Sequence, residues 1–169
     1  SFGIKIVGVF KPLANDTVVD KLIYVLIPFN SLDQWMKITD RLQSDDIFKK
    51  AGADFLHADA KMPAFQRMES ILLSAFDGQA GLDLPKQKDA NRIFELRSYE
   101  SPSSHLADKK RAMFNNDEMK IFSRLGFNPV FYAEVISGSH MPNLMYMPVF
   151  KSVEDRNAQW KVFGNDARW

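Results

Sequence analysis

Two stretches of this sequence decide the fold: Gly126-Phe-Asn-Pro-Val-Phe-Tyr132 and Asn143-Leu-Met-Tyr-Met-Pro-Val-Phe150. Their β-branched and aromatic residues predict a pair of strands. A similar pair stands near the start of the chain, as Gly3-Ile-Lys-Ile-Val-Gly-Val-Phe10 and Lys21-Leu-Ile-Tyr-Val-Leu-Ile-Pro-Phe29. A helix start follows each pair. A repeat of this length indicates two copies of one supersecondary unit that pack against each other.

The composition is that of an ordinary globular protein. Of 169 residues, 46% are hydrophobic and 25% are charged, which argues against disorder. The net charge of +1 indicates neither a nucleic-acid groove nor an anionic membrane surface as partner. No stretch approaches the roughly 18 apolar residues of a membrane span. The absence of cysteine excludes disulfides and thiolate metal sites.

The compartment stays open at this stage. No signal peptide is present in the sequence, so we expect either a cytoplasmic protein or an exported, periplasmic one whose signal peptide has been removed. A lack of cysteine is compatible with both.

We predict two modules, residues 1–76 and 93–169, joined by a linker at 77–92 that contains Gly78, Gly81 and Pro85 and has no hydrophobic periodicity. In the first module we expect strands at 4–10 and 22–27 and then a helix that begins with a capping box at Ser31. A second helical segment after Ser44 and a buried strand at 68–76 complete it.

In the second module we expect a strand at 93–99 and a helix after Ser103, kinked near residues 115–117. The strand pair and a helix after Ser152 follow. Each module is thus a βαββαβ unit of the ferredoxin-like type with elements missing at opposite ends. We therefore predict an α+β fold, with a strand and helix before Ser1 and a last strand after Trp169. The alternative is a complete protein with a permuted or swapped layout.

The second module carries motifs that resemble a known family. Its opening strand, Ile93-Phe-Glu-Leu-Arg-Ser-Tyr99, is similar to that of the NIPSNAP family, which begins with an aromatic-Glu-Leu-Arg-x-Tyr pattern. Ser152-Val-Glu-Asp-Arg156, with Trp160 and Trp169 beyond it, is similar to the family's closing helix. The resemblance gives Arg156, Trp160 and Trp169 structural roles.

The first module resembles the same family more loosely, because Gln34 stands where the arginine would be and no tryptophan matches Trp169. What the resemblance implies is a bacterial-type tandem protein with a dimeric α/β-barrel fold. In that fold, two ferredoxin-like sheets pack face to face and helices cover the outside. Here one chain would supply both halves as a pseudo-dimer, with further homo-oligomers left open. The family has no well-established catalytic activity.

Strand alternation places a set of polar side chains on one face of the second module's sheet. They are Glu95, Arg97, Tyr99, Tyr132, Glu134 and Tyr146. If that face points into the barrel, it lines a pocket for a small polar or aromatic ligand. Arg97 would then bind a carboxylate at two points, and a carboxylate of raised pKa would transfer protons.

The same residues also have a purely structural interpretation. Glu95, Arg97 and Glu134 can form a cross-strand ion-pair network that sets the register. The tyrosines can be core rings whose hydroxyl groups find partners, and large tryptophan rings at helical positions usually anchor a helix on its sheet. Of the two interpretations we favour the structural one, because paired charges perturb each other in structural networks too.

No metal or cofactor is predicted. The three histidines, His57, His105 and His140, do not share the spacing of a metal-binding motif. His140, in the hairpin turn Gly138-Ser-His-Met-Pro142, is the first candidate ligand if haem is bound.

Two classes of function fit these patterns. The first is a binding or structural protein, either a small-ligand-binding or a protein-interaction module. The second is a cofactor-independent enzyme of the monooxygenase or isomerase type that uses the polar sheet face. Haem binding in the barrel is a third, weaker option.

Overall fold

The structure, a computed structural model, describes residues 3–85 and 91–168. It is a mixed α+β protein, as the predicted fold class requires, and it divides into two units, Ser1–Met68 and Glu69–Trp169. The second unit begins before residue 72, so strand 72–75 lies in it and not in the first module, where the sequence predicts it. None of the helices in the described ranges is long and apolar enough to cross a bilayer.

The first unit contains a short antiparallel ladder of β1 (Gly8–Phe10) and β2 (Tyr24–Leu26), in which Val9 faces Val25. Both strands are shorter than predicted. One reason is local, because the Leu22 N–H donates to the side-chain oxygen of Asn15 at 2.7 Å and not to a strand. Three helices follow the ladder: α1 (Leu32–Ser44), α2 (Asp46–Ala51) and α3 (Ala53–Leu56).

The predicted capping box at the start of α1 is present with one bond displaced. The Ser31 hydroxyl accepts from the Gln34 N–H at 3.2 Å, as expected. The Gln34 side-chain oxygen accepts from the Asn30 N–H at 2.7 Å, one residue before the cap. Helix α2 is capped by Asp45, which accepts from the Phe48 N–H, and not by Ser44.

The second unit contains a five-stranded sheet. Its strands are β3 (Leu72–Ala75), β4 (Ile93–Phe94), β5 (Arg97–Glu100), β6 (Asn128–Ser137) and β7 (Asn143–Phe150). The order is β3-β6-β7, and β4 and β5 both pair with the other edge of β7; every pairing is antiparallel. Strands β5 and β6 therefore run parallel on the two sides of β7, which is the order that a crossover helix between them produces.

The sheet is open, and the predicted barrel does not form within the described residues. Closure requires each edge strand to find a partner. The sheet instead ends at β3 on one side and at β4 and β5 on the other, while β1 and β2 form a separate two-stranded sheet. The two-module ferredoxin-like arrangement is not confirmed.

Part of the predicted linker is ordered against the sheet. Asp77–Gln79 forms a 3₁₀ turn. The Gln79 amide donates to the carbonyls of Pro129 and Val130 at 3.2 and 3.1 Å, and the Asp83 N–H donates to Val130 at 2.9 Å. These bonds hold the chain beside β6. Residues 86–90, also within the predicted linker, lie outside the described ranges.

Helices α4 (Ser104–Met113), α5 (Met119–Arg124) and α6 (Val153–Gly164) cover one face of the sheet. A π-helical turn, Phe114–Glu118, joins α4 to α5 where we predicted a kink. The core between helices and sheet is mostly aromatic: Phe76, Phe114, Ile121, Phe122, Phe127, Tyr132, Leu144, Tyr146, Phe150 and Phe163. The π turn buries both its first residue, Phe114, and its last, Glu118.

Candidate functional site

The predicted polar residues of the second module lie on one sheet face, but that face lies beneath the helices. Strand β5 places Arg97 and Tyr99 opposite Tyr146 and Leu144 of β7. Tyr132 and Tyr146 are opposite each other on β6 and β7, and their rings stack with centroids 5.6 Å apart. The face does not line the lumen of a barrel. Most of its polar groups bond to one another or to the helices.

Glu95 is the centre of one such group. Its Oε1 accepts from Arg97 Nη1 at 2.8 Å and Arg156 Nη2 at 2.7 Å. Its Oε2 accepts from Arg156 Nε at 2.9 Å and Trp160 Nε1 at 2.8 Å. Burial raises the pKa of Glu95, but the bonds from Arg156 and Trp160 outweigh it and hold the pKa below the ordinary 4.5. A carboxylate held in this way is a structural anchor and a poor proton acceptor.

Arg97 connects this group to the tyrosines. Its guanidinium lies 4.5 Å from the Trp160 ring centroid, and its Nε donates to the Tyr99 hydroxyl at 3.0 Å. The Tyr99 and Tyr146 hydroxyl groups are 3.0 Å apart and share a hydrogen bond. Burial, followed by this bond, raises the pKa of Tyr146. The Tyr146 phenol therefore stays neutral and extends the network inward.

Glu134 belongs to a separate group. It forms an ion pair with Arg111 of α4, and Arg111 Nη2 also bonds Asp108 at 2.8 Å. The predicted network of Glu95, Arg97 and Glu134 is therefore divided between two helices. Of the residues given structural roles, Arg156 and Trp160 hold Glu95, and Trp169 lies outside the described residues.

An open cleft of about 440 Å³ lies beside the tyrosines, at the junction of α4 and the π turn. We call it the Glu118 cleft; its lining residues are Tyr99, Lys109, Lys110, Met113 and Glu118. Lys110 Nζ lies 4.1 Å from the centroid of the Tyr99 ring. Neither Lys109 nor Lys110 forms an ion pair with a described carboxylate.

Glu118 is the unusual group of this cleft. The residue is only 2% exposed, and its Oε2 has no hydrogen-bond partner among the described residues. Burial raises the pKa of Glu118 to about 7, although the positive charges of Lys110 and Arg97 act in the opposite direction. The buried Tyr132 hydroxyl also has no partner in the described chain, and burial followed by the charge of Glu118 raises its pKa.

A second open cleft of about 660 Å³ lies next to the first. It shares Met113 and Glu118 with the first and is otherwise lined by Asp117, Lys120, Ile121, Arg124 and Arg168. Arg124 is bonded to Asp166 at 2.7 Å. The two depressions therefore adjoin, and Glu118 borders both.

Sequence reasoning missed Glu118, Lys109, Lys110 and Met113 as site residues. A signal for Glu118 was present, since it lies four residues after Phe114 and three before Ile121, within the apolar stripe of the helix. A carboxylate at a core position of a helix is rare and needs a partner or a shifted pKa. The lysines carried no such signal, because surface lysines are common.

The structure shows no grouping of three or more metal-ligating side chains within residues 3–85 and 91–168. His140 lies in the β6–β7 turn with its Nδ1 3.2 Å from a Glu100 oxygen, and both side chains are exposed. It does not line either cleft, so the haem option gains no support from its position.

No model of a known protein family matches the chain, and no curated protein matches it. The resemblance to the NIPSNAP family therefore stays a prediction from the residues.

The raised pKa of Glu118 has a consequence for stability. Its folded-state pKa of about 7 lies above the ordinary 4.5, so the folded protein holds this proton more tightly than the unfolded chain does. Stability should therefore fall as the pH rises from 4.5 to about 7. Glu118→Gln removes this effect, and we expect it to raise the free energy of unfolding by on the order of 2 kcal/mol at about pH 8.

Urea denaturation of both proteins across this pH range measures the difference. Asp117→Asn, a change at the exposed neighbouring acid, is the matched control and should leave the pH dependence as in the wild type. A constant difference between Glu118→Gln and the wild type at every pH would show that the Glu118 carboxyl does not titrate in this range.

Proposed function

We propose that the protein is a small-ligand-binding protein and that the ligand occupies the Glu118 cleft. The observation that carries this proposal is the buried Glu118 carboxyl at the border of an open cleft, because its Oε2 has no hydrogen-bond partner among the described residues. A buried polar atom without a hydrogen bond costs about 1–3 kcal/mol, and folded proteins contain few of them. A perturbed carboxyl in a cleft is a typical feature of binding and catalytic sites.

The cleft also provides groups that select a ligand. Lys109 and Lys110 bring positive charge and form no ion pair with a described carboxylate, which favours an anion. The Tyr99 ring and the Met113 side chain offer apolar contacts. Together they suit a small molecule with an apolar body and one negative group.

The fold and family form part of the same proposal. We propose that the second unit is a ferredoxin-like, NIPSNAP-like module that pairs with a second module across the sheet face opposite the helices. The buried residues of that face include Ala133, Val135, Met145 and Met147. Support comes from the placement of β7 between β5 and β6 and from Glu95, which joins the two motifs through Arg156 and Trp160. If the protein is instead a protein-interaction module, we propose that its protein partner binds at the same sheet face.

One observation favours the alternative, a cofactor-independent isomerase-type enzyme. A carboxyl with a pKa of about 7 is suited to proton transfer near neutral pH, and Glu118 has that pKa while Glu95 does not. In that case Glu118 is the proton-transfer group, and the hydrogen-bonded residues of the sheet face serve to position it.

Methyl NMR tests ligand binding at this cleft directly. With methionine methyl groups labelled with ¹³C, a panel of benzoate, cinnamate and octanoate should shift the Met113 signal, whereas Met145 and Met147, buried in β7, should not move. Lys110→Gln should weaken binding about tenfold through loss of a charge-assisted contact. Lys161→Gln, at an exposed position of α6, is the charge-matched control and should bind as the wild type does. If no carboxylate of the panel moves Met113 at any pH, the binding proposal is wrong.

A further inference from the structure

Glu118 lies among polar groups from every layer around it. Lys110 on α4 and Arg97 on β5 act on it with positive charge, while the Tyr132 and Tyr146 hydroxyl groups on β6 and β7 are close enough to be affected by its negative charge. None of these groups is hydrogen-bonded to its Oε2. Burial thus favours the neutral form of the carboxyl, whereas the two cations favour the ionised form.

Resting on the ligand-binding function above, we propose that the Glu118 cleft binds a small aromatic carboxylate together with one proton, which Glu118 takes up from solvent. The ligand class is therefore an aromatic monocarboxylic acid, bound as the anion beside a neutral Glu118. No covalent bond of the ligand breaks. The proton comes from water or buffer and returns to it when the ligand leaves.

The physical reason is the competition of two negative groups for the same cation. Lys110 is the charge that favours the ionised form of Glu118, and it lines the cleft where the ligand carboxylate would lie. When the ligand pairs with Lys110, Glu118 loses part of that stabilisation and gains a negative neighbour. Both changes favour the neutral acid, and a low local dielectric strengthens them. A neutral carboxyl can also donate a hydrogen bond, which the ionised form cannot do.

The sign of the pH dependence follows. The pKa of Glu118 in the free protein is about 7, so well below that pH the acid is already neutral and binding takes up little or no proton. Well above it, each binding event takes up about one proton, and affinity falls by up to about tenfold for each further pH unit.

Isothermal titration calorimetry of the whole protein with benzoate tests this. Titrations at about pH 6 and about pH 8, each in two buffers that differ in ionisation enthalpy, give the number of protons taken up. We expect an uptake near zero at the lower pH and close to one at the higher pH. Benzamide, the neutral analogue, should bind weakly and without proton uptake at either pH.

Two variants identify the group. Glu118→Gln should bind benzoate with no uptake at either pH and with about tenfold higher affinity than the wild type at about pH 8. His105→Gln removes an exposed histidine of α4 and should keep the wild-type uptake. Should Glu118→Gln fail to fold, ¹³C NMR of the wild-type Glu118 carboxyl, with and without benzoate, measures the same protonation.

The outcomes are separable. Absence of benzoate binding at both pH values overturns the ligand-binding function and this inference with it. Binding to the wild type without proton uptake at about pH 8 leaves the binding function intact and overturns the proton linkage. Uptake that persists in Glu118→Gln, or a Glu118 carboxyl signal that benzoate leaves unchanged, overturns the assignment to Glu118.

Discussion

Replacing Phe114 with alanine should lower the free energy of unfolding of the second unit by about 4 kcal/mol. The Phe114 side chain is fully buried in the π turn. Aromatic rings surround it with centroids 5.2–6.5 Å away: Phe76, Tyr99, Phe122, Tyr132 and Tyr146. The change removes a large ring where rigid aromatic neighbours from three strands and a helix cannot close the cavity.

Chemical denaturation followed by tyrosine and tryptophan fluorescence measures this loss. Leu106→Ala provides the control, because Leu106 lies in α4, directly before the π turn, but is 45% exposed. Its replacement should change the free energy of unfolding by less than about 1 kcal/mol. A comparable loss in the two variants would contradict the placement of Phe114 at the centre of the core.

The second large effect should come from Glu95→Gln, which we expect to cost about 3 kcal/mol at neutral pH. The change keeps the size of the side chain but removes the charge that Arg97 and Arg156 share. It also replaces one accepting oxygen by a donating NH₂ group, so donors that now bond Glu95 face another donor. Loss of the partner leaves two guanidinium groups, both partly buried, close together.

The pH dependence gives this prediction a sharper form. The folded-state pKa of Glu95 is held below 4.5, so its contribution to stability is present above that pH and is lost as the pH falls through the folded-state value. The cost of Glu95→Gln should therefore be largest at neutral pH and shrink in acid. Glu100→Gln, on β5 and exposed, removes a surface carboxylate whose oxygen lies 3.2 Å from His140 Nδ1 and should cost less than about 1 kcal/mol. Equal costs in the two variants would mean that the bonds to Arg156 and Trp160 carry no net stability.

Several local features were predictable because neighbouring residues determine them. The Ser31, Ser103 and Ser152 hydroxyl groups cap α1, α4 and α6, as each Ser followed by a helical pattern indicated. The disturbance of the helix near residues 115–117 was also visible, and it is the π turn. The position of β3 depends on β6, a partner distant in sequence, and it differed from prediction.

For the functional residues too, the sequence predicted the local arrangement but not the contacts with distant segments. Alternation correctly placed Glu95, Arg97 and Tyr99 on one face with Tyr146, but the sequence did not say whether that face would meet a ligand or a helix. Arg156 and Trp160 of α6 donate hydrogen bonds to the Glu95 carboxylate. The residues of the predicted pocket therefore form a hydrogen-bonded layer between sheet and helix. The cleft lies instead at the edge of that layer, where α4 passes into the π turn.

By itself the sequence determined the element types, the helix starts and the side of each strand on which a polar residue lies, since these follow from backbone geometry over a few residues. Only the tertiary structure decided which sheet face the helices cover, that Glu95 is saturated with hydrogen bonds and that Glu118 is buried with an unpartnered oxygen. The residues that bury a carboxyl, and the charged groups near it, come from segments far apart in the chain. The pKa of that carboxyl is therefore set by the fold and not by its local sequence.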